Sequence, residues 1–207
     1  MKKILKGVSA LLAVFVSGCV SLLPETAPPK PRYQIDAIDA GAAAGPAVEW
    51  SLVVEDPRTT RAFDTVKVAV APAAGKIEYF SGAEWADRAP RLFQTALIQS
   101  FEDTGRILGV GDRAAVPIAD IVLQTDIREL VVDAKSGGET PSLSIYARLT
   151  DGKGRVYAAR RFDARGAASG GDADAIMAAF GAAFDTVITD IVTWSLDEGA
   201  GVIAARS

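Results

Sequence analysis

Apolar and polar residues alternate most strictly over residues 143–150, where Leu143, Ile145, Ala147 and Leu149 oppose Ser144, Tyr146, Arg148 and Thr150. A period of two marks a strand with one buried face. The Asp151-Gly152-Lys153-Gly154 run that follows is a turn signal, and residues 156–164 return as the partner strand of a hairpin. The same period, less regular, predicts strands over residues 33–38, 50–55, 65–71 and 119–132. Two segments switch to the helical period. In residues 89–104, Phe93, Leu97 and Phe101 recur four apart, Pro90 suits a first turn, Asp87 is the expected N-cap and Gly105 the expected C-terminal glycine. In residues 172–196 the apolar stripe is Ile176, Phe180, Phe184, Val187, Ile188 and Ile191. Residues 75–88 show no evident period, and residues 199–207 read as a frayed tail. The order of strands, helix, three strands and helix predicts an α+β fold: a two-layer sandwich in which an antiparallel or mixed sheet carries two amphipathic helices on one face.

The first 32 residues follow neither period. Lys2, Lys3 and Lys6 precede an apolar run over residues 8–16. That run is the length of a secretory core and falls well short of the roughly 20 residues a spanning helix needs. Val16-Ser17-Gly18-Cys19 closes it. A branched apolar residue, two small residues and a cysteine form a lipobox: Val16, Ser17 and Gly18 suit the narrow cleft of a lipoprotein signal peptidase. The thiol of Cys19 is the side chain able to take a diacylglycerol thioether, and its freed α-amine can take a further acyl chain such as palmitate. Several chains on one residue make a stable anchor where a single chain is marginal. Pro24, Pro28, Pro29 and Pro31 then forbid a helix. They favour an extended tether reaching roughly 40 Å at about 3.1 Å per residue. The expected organisation is a lipoprotein signal peptide at 1–18, a lipidated cysteine and proline-rich tether at 19–32, one α+β domain at 33–198, and the tail at 199–207.

Charge and composition narrow the chemistry. Cleavage after Gly18 removes three lysines and no acid, leaving 19 basic and 26 acidic residues. An acidic body is a poor match for nucleic acid or for purely electrostatic attachment to anionic lipid. The chain has no histidine and one cysteine. The commonest general base, the serine and cysteine triads and most zinc sites are therefore out of reach. Glu78, Glu84 and Asp87 are close in sequence, but no spacing selects a catalytic pair from them. The 151–154 turn lacks the lysine and helix of a phosphate loop. Asp172-Ala173-Asp174 lacks the glycine and glutamate of a calcium loop, and reads as an acidic helix start. The expectation is a non-enzymatic protein with no catalytic residue, no metal and no cofactor apart from the lipid on Cys19. Tyr79, Phe80 and Trp85 are the candidate partner-binding residues, because aromatics outside an obvious core period can anchor an interface. They can equally fold back over the sheet or over the helix that follows.

The run from Ile77 to Gln94 couples an aromatic pair, a short spacer, Trp85-Ala86, and a proline opening an amphipathic helix. Together with the lipobox, the tether, Tyr33-Gln34-Ile35-Asp36, Trp50-Ser51-Leu52-Val53-Val54 and a closing helix near Trp194, it resembles the ABC-type transport auxiliary lipoprotein family over residues 16–197. The resemblance implies a periplasmic subunit of an Mce-type system moving phospholipid or related hydrophobic molecules between two membranes. Such a subunit docks the Mce-domain component at the outer membrane, with a ring-shaped homo-oligomer as one assembly. Val20, where an aspartate would favour retention at the inner membrane, implies the periplasmic face of the outer membrane. An assembly or plug lipoprotein for an outer-membrane β-barrel, and a lone lipid carrier, are the competing readings.

Overall fold

A computed structural model describes residues 29–135, 137–167 and 171–205. The lipobox residues Val16, Ser17, Gly18 and Cys19, and the tether up to residue 28, lie outside the described residues.

The strands are β1 (Arg32–Tyr33), β2 (Val48–Val54), β3 (Lys67–Ala73), β4 (Lys76–Trp85), β5 (Ile107–Gly111), β6 (Ile121–Asp133), β7 (Thr140–Thr150) and β8 (Val156–Arg165); the helices are α1 (Ala89–Asp103) and α2 (Ala173–Ala204). All eight strands form one open mixed sheet beside two helices, the expected α+β class. β6 organises the sheet. Its whole length pairs antiparallel with β7, from Val122–Thr150 to Asp133–Thr140. Its other edge is shared: β2 pairs parallel with its start, at Ile121 to Leu123, and β3 with its end, at Val132 and Asp133. Between them Arg58 bridges Asp126. The sheet therefore forks, with β5 beyond β2 on one branch, and β4 and then β1 beyond β3 on the other.

Both helices cover one face. α2 lies along β7 and β8, and α1 lies against β2, β5 and α2. Phe93, Leu97 and Phe101 of α1 and Ile176, Phe180, Ile188 and Ile191 of α2 are fully buried, as their spacing predicts. They pack on Leu52, Val54, Ile121, Leu123, Leu143, Ile145 and Leu149. By length and composition α2 is apolar enough to cross a membrane, yet its Ile176-to-Leu196 stripe is buried in this core.

Several elements depart from expectation. The featureless stretch at 75–88 contains the ten-residue strand β4. Its phase slips between Tyr79 and Glu84, where five positions on β4 oppose two on β3, and that irregularity hides the period. The strand expected at 33–38 shrinks to β1, although Ile35 and Ile38 remain buried. The Pro31 and Tyr33 carbonyls both accept from the β4 side. Pro29 and Pro31 therefore fall on the positions facing β4 and have no N–H to give, so pairing cannot extend back along the tether. Arg88, not Asp87, is the N-cap of α1; Asp87 Oδ1 accepts the Arg88 N–H at 2.7 Å instead. Gly105 has the expected left-handed φ of 61°. The tail does not fray at 199: α2 runs on to Ala204. Gly199 is a contact glycine, since a Cβ there would lie 2.5 Å from the Trp50 ring.

Candidate docking surface

The aromatic cluster divides along β4. At its inner end Trp85 is 2% exposed. Its ring stands edge-on to Phe180 at 5.5 Å and to Phe184 at 6.0 Å, and Phe93 lies 6.0 Å beyond Phe184. These rings close the space between the forked sheet and both helices. Of the two alternatives for the cluster, Trp85 takes the interior one and is not available to a partner at the surface. Phe80 is half-buried and covers Gly82, where a Cβ would lie 2.9 Å from its ring. Tyr79 is 44% exposed.

Tyr79 belongs to a projecting arm. β3 and β4 join through a two-residue turn with Gly75 at φ 73°. From Ala73 to Tyr79 every residue is exposed, so both faces of the hairpin tip meet solvent. Ile77, 41% exposed, adds apolar surface two residues from Tyr79. Lys67 Nζ lies 5.1 Å from the centre of the Tyr79 ring, and Lys76 pairs with Glu78. On the β3 side the exposure stops at Ala73: Ala69, opposite Tyr79, and Ala71 are buried, and Val70 and Ala71 pair with β6, so the exposed arm consists of the turn and the outer half of β4. Sequence reasoning singled out Tyr79 and missed Ile77. The signal was present in Lys76-Ile77-Glu78-Tyr79, four alternating positions before the phase slip.

The tether joins the fold beside the arm. Glu84 N–H donates to Pro31 O at 3.1 Å, Ala86 N–H donates to Tyr33 O at 2.7 Å, and Lys30 Nζ is 3.4 Å from Glu84. The Tyr33 hydroxyl donates to Asp174 at the start of α2. That bond is the main reason its phenol titrates above the ordinary value, because it stabilises the protonated form. Asp172 caps the same helix, accepting the Ala175 N–H at 2.8 Å. Residues 30–33 are thus tied to β4 and to the α2 N-terminus together. Among the described residues no group of three acids, histidines or cysteines could hold a metal ion.

A filled two-layer α+β domain with an exposed outer half of β4 is the architecture on which the family match falls. The model of the ABC-type transport auxiliary lipoprotein component family matches residues 33–192, and the chain belongs to that family. A protein of Bradyrhizobium diazoefficiens is 30% identical over 162 residues, which is 73% of this chain and 42% of the relative, so the chain spans less than half of that protein's length. A crystal structure of a DUF330-family protein from Xanthomonas campestris is similar at 27% identity, with a TM-score of 0.72 over 86% of this chain and 98% of the other. A further crystal structure, 13% identical, shares the fold at a TM-score of 0.61 over 79% of this chain and 96% of that one.

Proposed function

We propose that this protein is a non-enzymatic periplasmic subunit of an ABC/Mce-type transporter of phospholipid or related hydrophobic molecules. Held by lipid on Cys19 to the outer membrane, it docks the Mce-domain component through the β3–β4 arm. A ring of identical copies is an assembly compatible with this role. The reading rests first on membership of the transport auxiliary family. The arm supports the contact: Ile77 and Tyr79 stand exposed on the outer half of β4, the strand whose inner end pairs with β1. A carrier role is less well supported, because Trp85, Phe93, Phe180 and Phe184 fill the layer where a lipid tail would have to lie.

The experiment is purification of the native acylated protein from membranes in mild detergent. Palmitate labelling is expected in the wild type and absent from Cys19→Ala. An Mce-domain protein is expected to co-purify, and Ile77→Asp with Tyr79→Asp is expected to lower its recovery at least tenfold. Recovery of a β-barrel protein with no Mce-domain protein would overturn the reading in favour of a plug or assembly role.

A further inference from the structure

One flank of the sheet ends in β8, which pairs with β7 and with no other described strand. The register from Ser142–Arg165 to Leu149–Ala158 has no slip, and one bond sets its phase: Gly166 N–H donates to Pro141 O at 2.9 Å. Gly166 and Pro141 therefore occupy a hydrogen-bonded position, and the pairs alternate from there. Ala159, Arg161, Asp163 and Arg165 fall in the non-hydrogen-bonded pairs, so their N–H and C=O groups point away from β7. All four residues are exposed. Such a row is a template for a further strand. Phe162 is buried with its ring edge-on to Trp194 of α2 at 5.5 Å, so it faces the helices. Arg161 and Asp163, on either side of it, point to the face that carries no helix.

The charge around this edge is close to balanced. On the helix-free face Arg161 and Arg165 share a hollow with Glu129 and Asp163. On the helix side Arg155 and Arg160 stand against Asp190, Asp197 and Glu198. That balance favours neither an acidic nor a basic strand as such. What the edge carries is order: Arg161 and Asp163 are neighbouring outward positions on one face, joined at 2.8 Å. Outward groups bond only to outward groups, so a second β8 laid antiparallel has few two-fold registers open to it. An axis through Arg161 opposes that arginine to itself. An axis through Asp163 does the same to the acid and sets Arg161 against Arg165. An axis through Arg160 opposes that arginine to itself, and one through Ala164 leaves Ala159 unpaired. The axis through Phe162 sets Arg161 opposite Asp163 twice and Arg165 opposite Ala159 twice. On the helix side it sets Arg160 opposite Ala164, so the arginines do not meet. This register uses all four outward residues of each copy and opposes no like charges, which would destabilise it, while its opposite charges stabilise it.

We propose that β8 is a self-complementary edge, which pairs two copies of this chain antiparallel about Phe162 into one continuous sheet. Backbone bonds along residues 159–165 hold the two strands, and the two Arg161–Asp163 contacts across the axis select the register and the occupant. A two-fold contact is complete at two copies, so it is distinct from any contact that would close a ring. β8 and the arm lie on opposite sides of β6, so the proposal does not depend on what docks at the arm.

The test uses the full-length acylated protein in mild-detergent micelles, with protein mass followed by light scattering and amide hydrogen exchange followed residue by residue. On concentration the wild type is expected to double its protein mass, and exchange at Ala159, Arg161, Asp163 and Arg165 to slow at least tenfold. Arg161→Asp and Asp163→Arg each place like charges in both contacts across the axis, so each variant alone should stay single. Mixed in equal amounts the two are complementary again and should pair with each other. Should either variant fail to fold, the exchange of both residues, Arg161→Asp with Asp163→Arg, decides the matter: that chain should pair with itself and exclude the wild type. A wild type that stays single overturns the proposal, as does pairing that survives either single substitution, or a mixture that does not pair. Protection that falls on Ile77 and Tyr79 instead of β8 also overturns it, because the copies would then meet at the arm.

Discussion

The two halves of β4 are built from similar residues and live in different environments. Ala83 and Trp85 at the inner end are buried under α2, while Ile77 and Tyr79 at the outer end stand in solvent. What separates them is the irregularity between Tyr79 and Glu84. An irregular ladder bends a strand and re-aims its side chains. Here it lets one continuous strand supply a wedge to the core and an arm to the outside. Aromatic content alone does not make a binding surface; the side of the phase slip decides which residues can meet a partner.

The sharpest way to break this comparison is to truncate both ends alike. Trp85→Ala removes a buried ring that touches Phe180 and Phe184, and is expected to cost about 3–5 kcal/mol of folding stability. Tyr79→Ala removes an exposed ring from the arm, and should stay within about 0.5 kcal/mol of wild type. Urea unfolding of both variants measures the difference. Equal losses would mean that the arm is part of the core in solution and that the division of β4 does not hold.

A smaller effect tests the packing of the helix that covers the inner end. Alanine in place of glycine inside a helix usually gains about 1 kcal/mol. At Gly199 the sign should reverse, because the new Cβ would sit 2.5 Å from the Trp50 ring and 3.1 Å from Ile121. Overpacking of this kind costs about 1–3 kcal/mol. Gly199→Ala should lower the melting temperature, and Gly201→Ala, where nothing lies within 4 Å, should not. A rise at both positions would show that the end of α2 is not seated on β2.

The same contrast explains what could be read in the sequence. β6, β7, β8, α1 and the start of α2 were legible to within a few residues, because each buries one face and exposes the other, and that imprints a period; the end of α2 was placed eight residues short, at 196 instead of Ala204. The outer half of β4 buries neither face, and its inner half is out of phase, so no single period survives. β5 is five residues long with two glycines, Ile107-Leu108-Gly109-Val110-Gly111, and lies at a sheet edge. That is too little pattern to distinguish it from a loop. The shared edge of β6 was illegible for another reason: parallel pairing of β2 and β3 with a strand tens of residues away is a long-range choice that leaves no local mark. Tyr79 could be named because aromatic residues stand out, but its separation from Trp85 needed the register. Residues 199–207 read as a frayed tail, whereas Gly199 lies in α2 where the Trp50 ring passes close to its backbone.

The smallest expected effect concerns the solvent side of α2, where burial is partial and charge decides. Asp185 is the one carboxylate among those with a resolved shift that titrates above the ordinary range. Partial desolvation is the main cause, and the negative charges of Asp36 and Asp39 add to it. A carboxylate whose folded pKa is raised opposes folding while it is ionised. The opposition is complete above the folded pKa, and it disappears as the pH falls below the unfolded value, because the native state binds the proton first. Asp185→Asn removes the charge and keeps the shape. The gain at about pH 7 should be small, since the group is exposed and screened by solvent. A rise of about 1 °C in melting temperature is the right scale for a domain of this size. The difference between variant and wild type should shrink to nothing near pH 3, where both carry a neutral side chain. A variant less stable than wild type at pH 7, or a gain that persists in acid, would show that Asp185 contributes a hydrogen bond rather than a repulsive charge, and that the 36–39 segment is held to α2 by this residue instead of despite it.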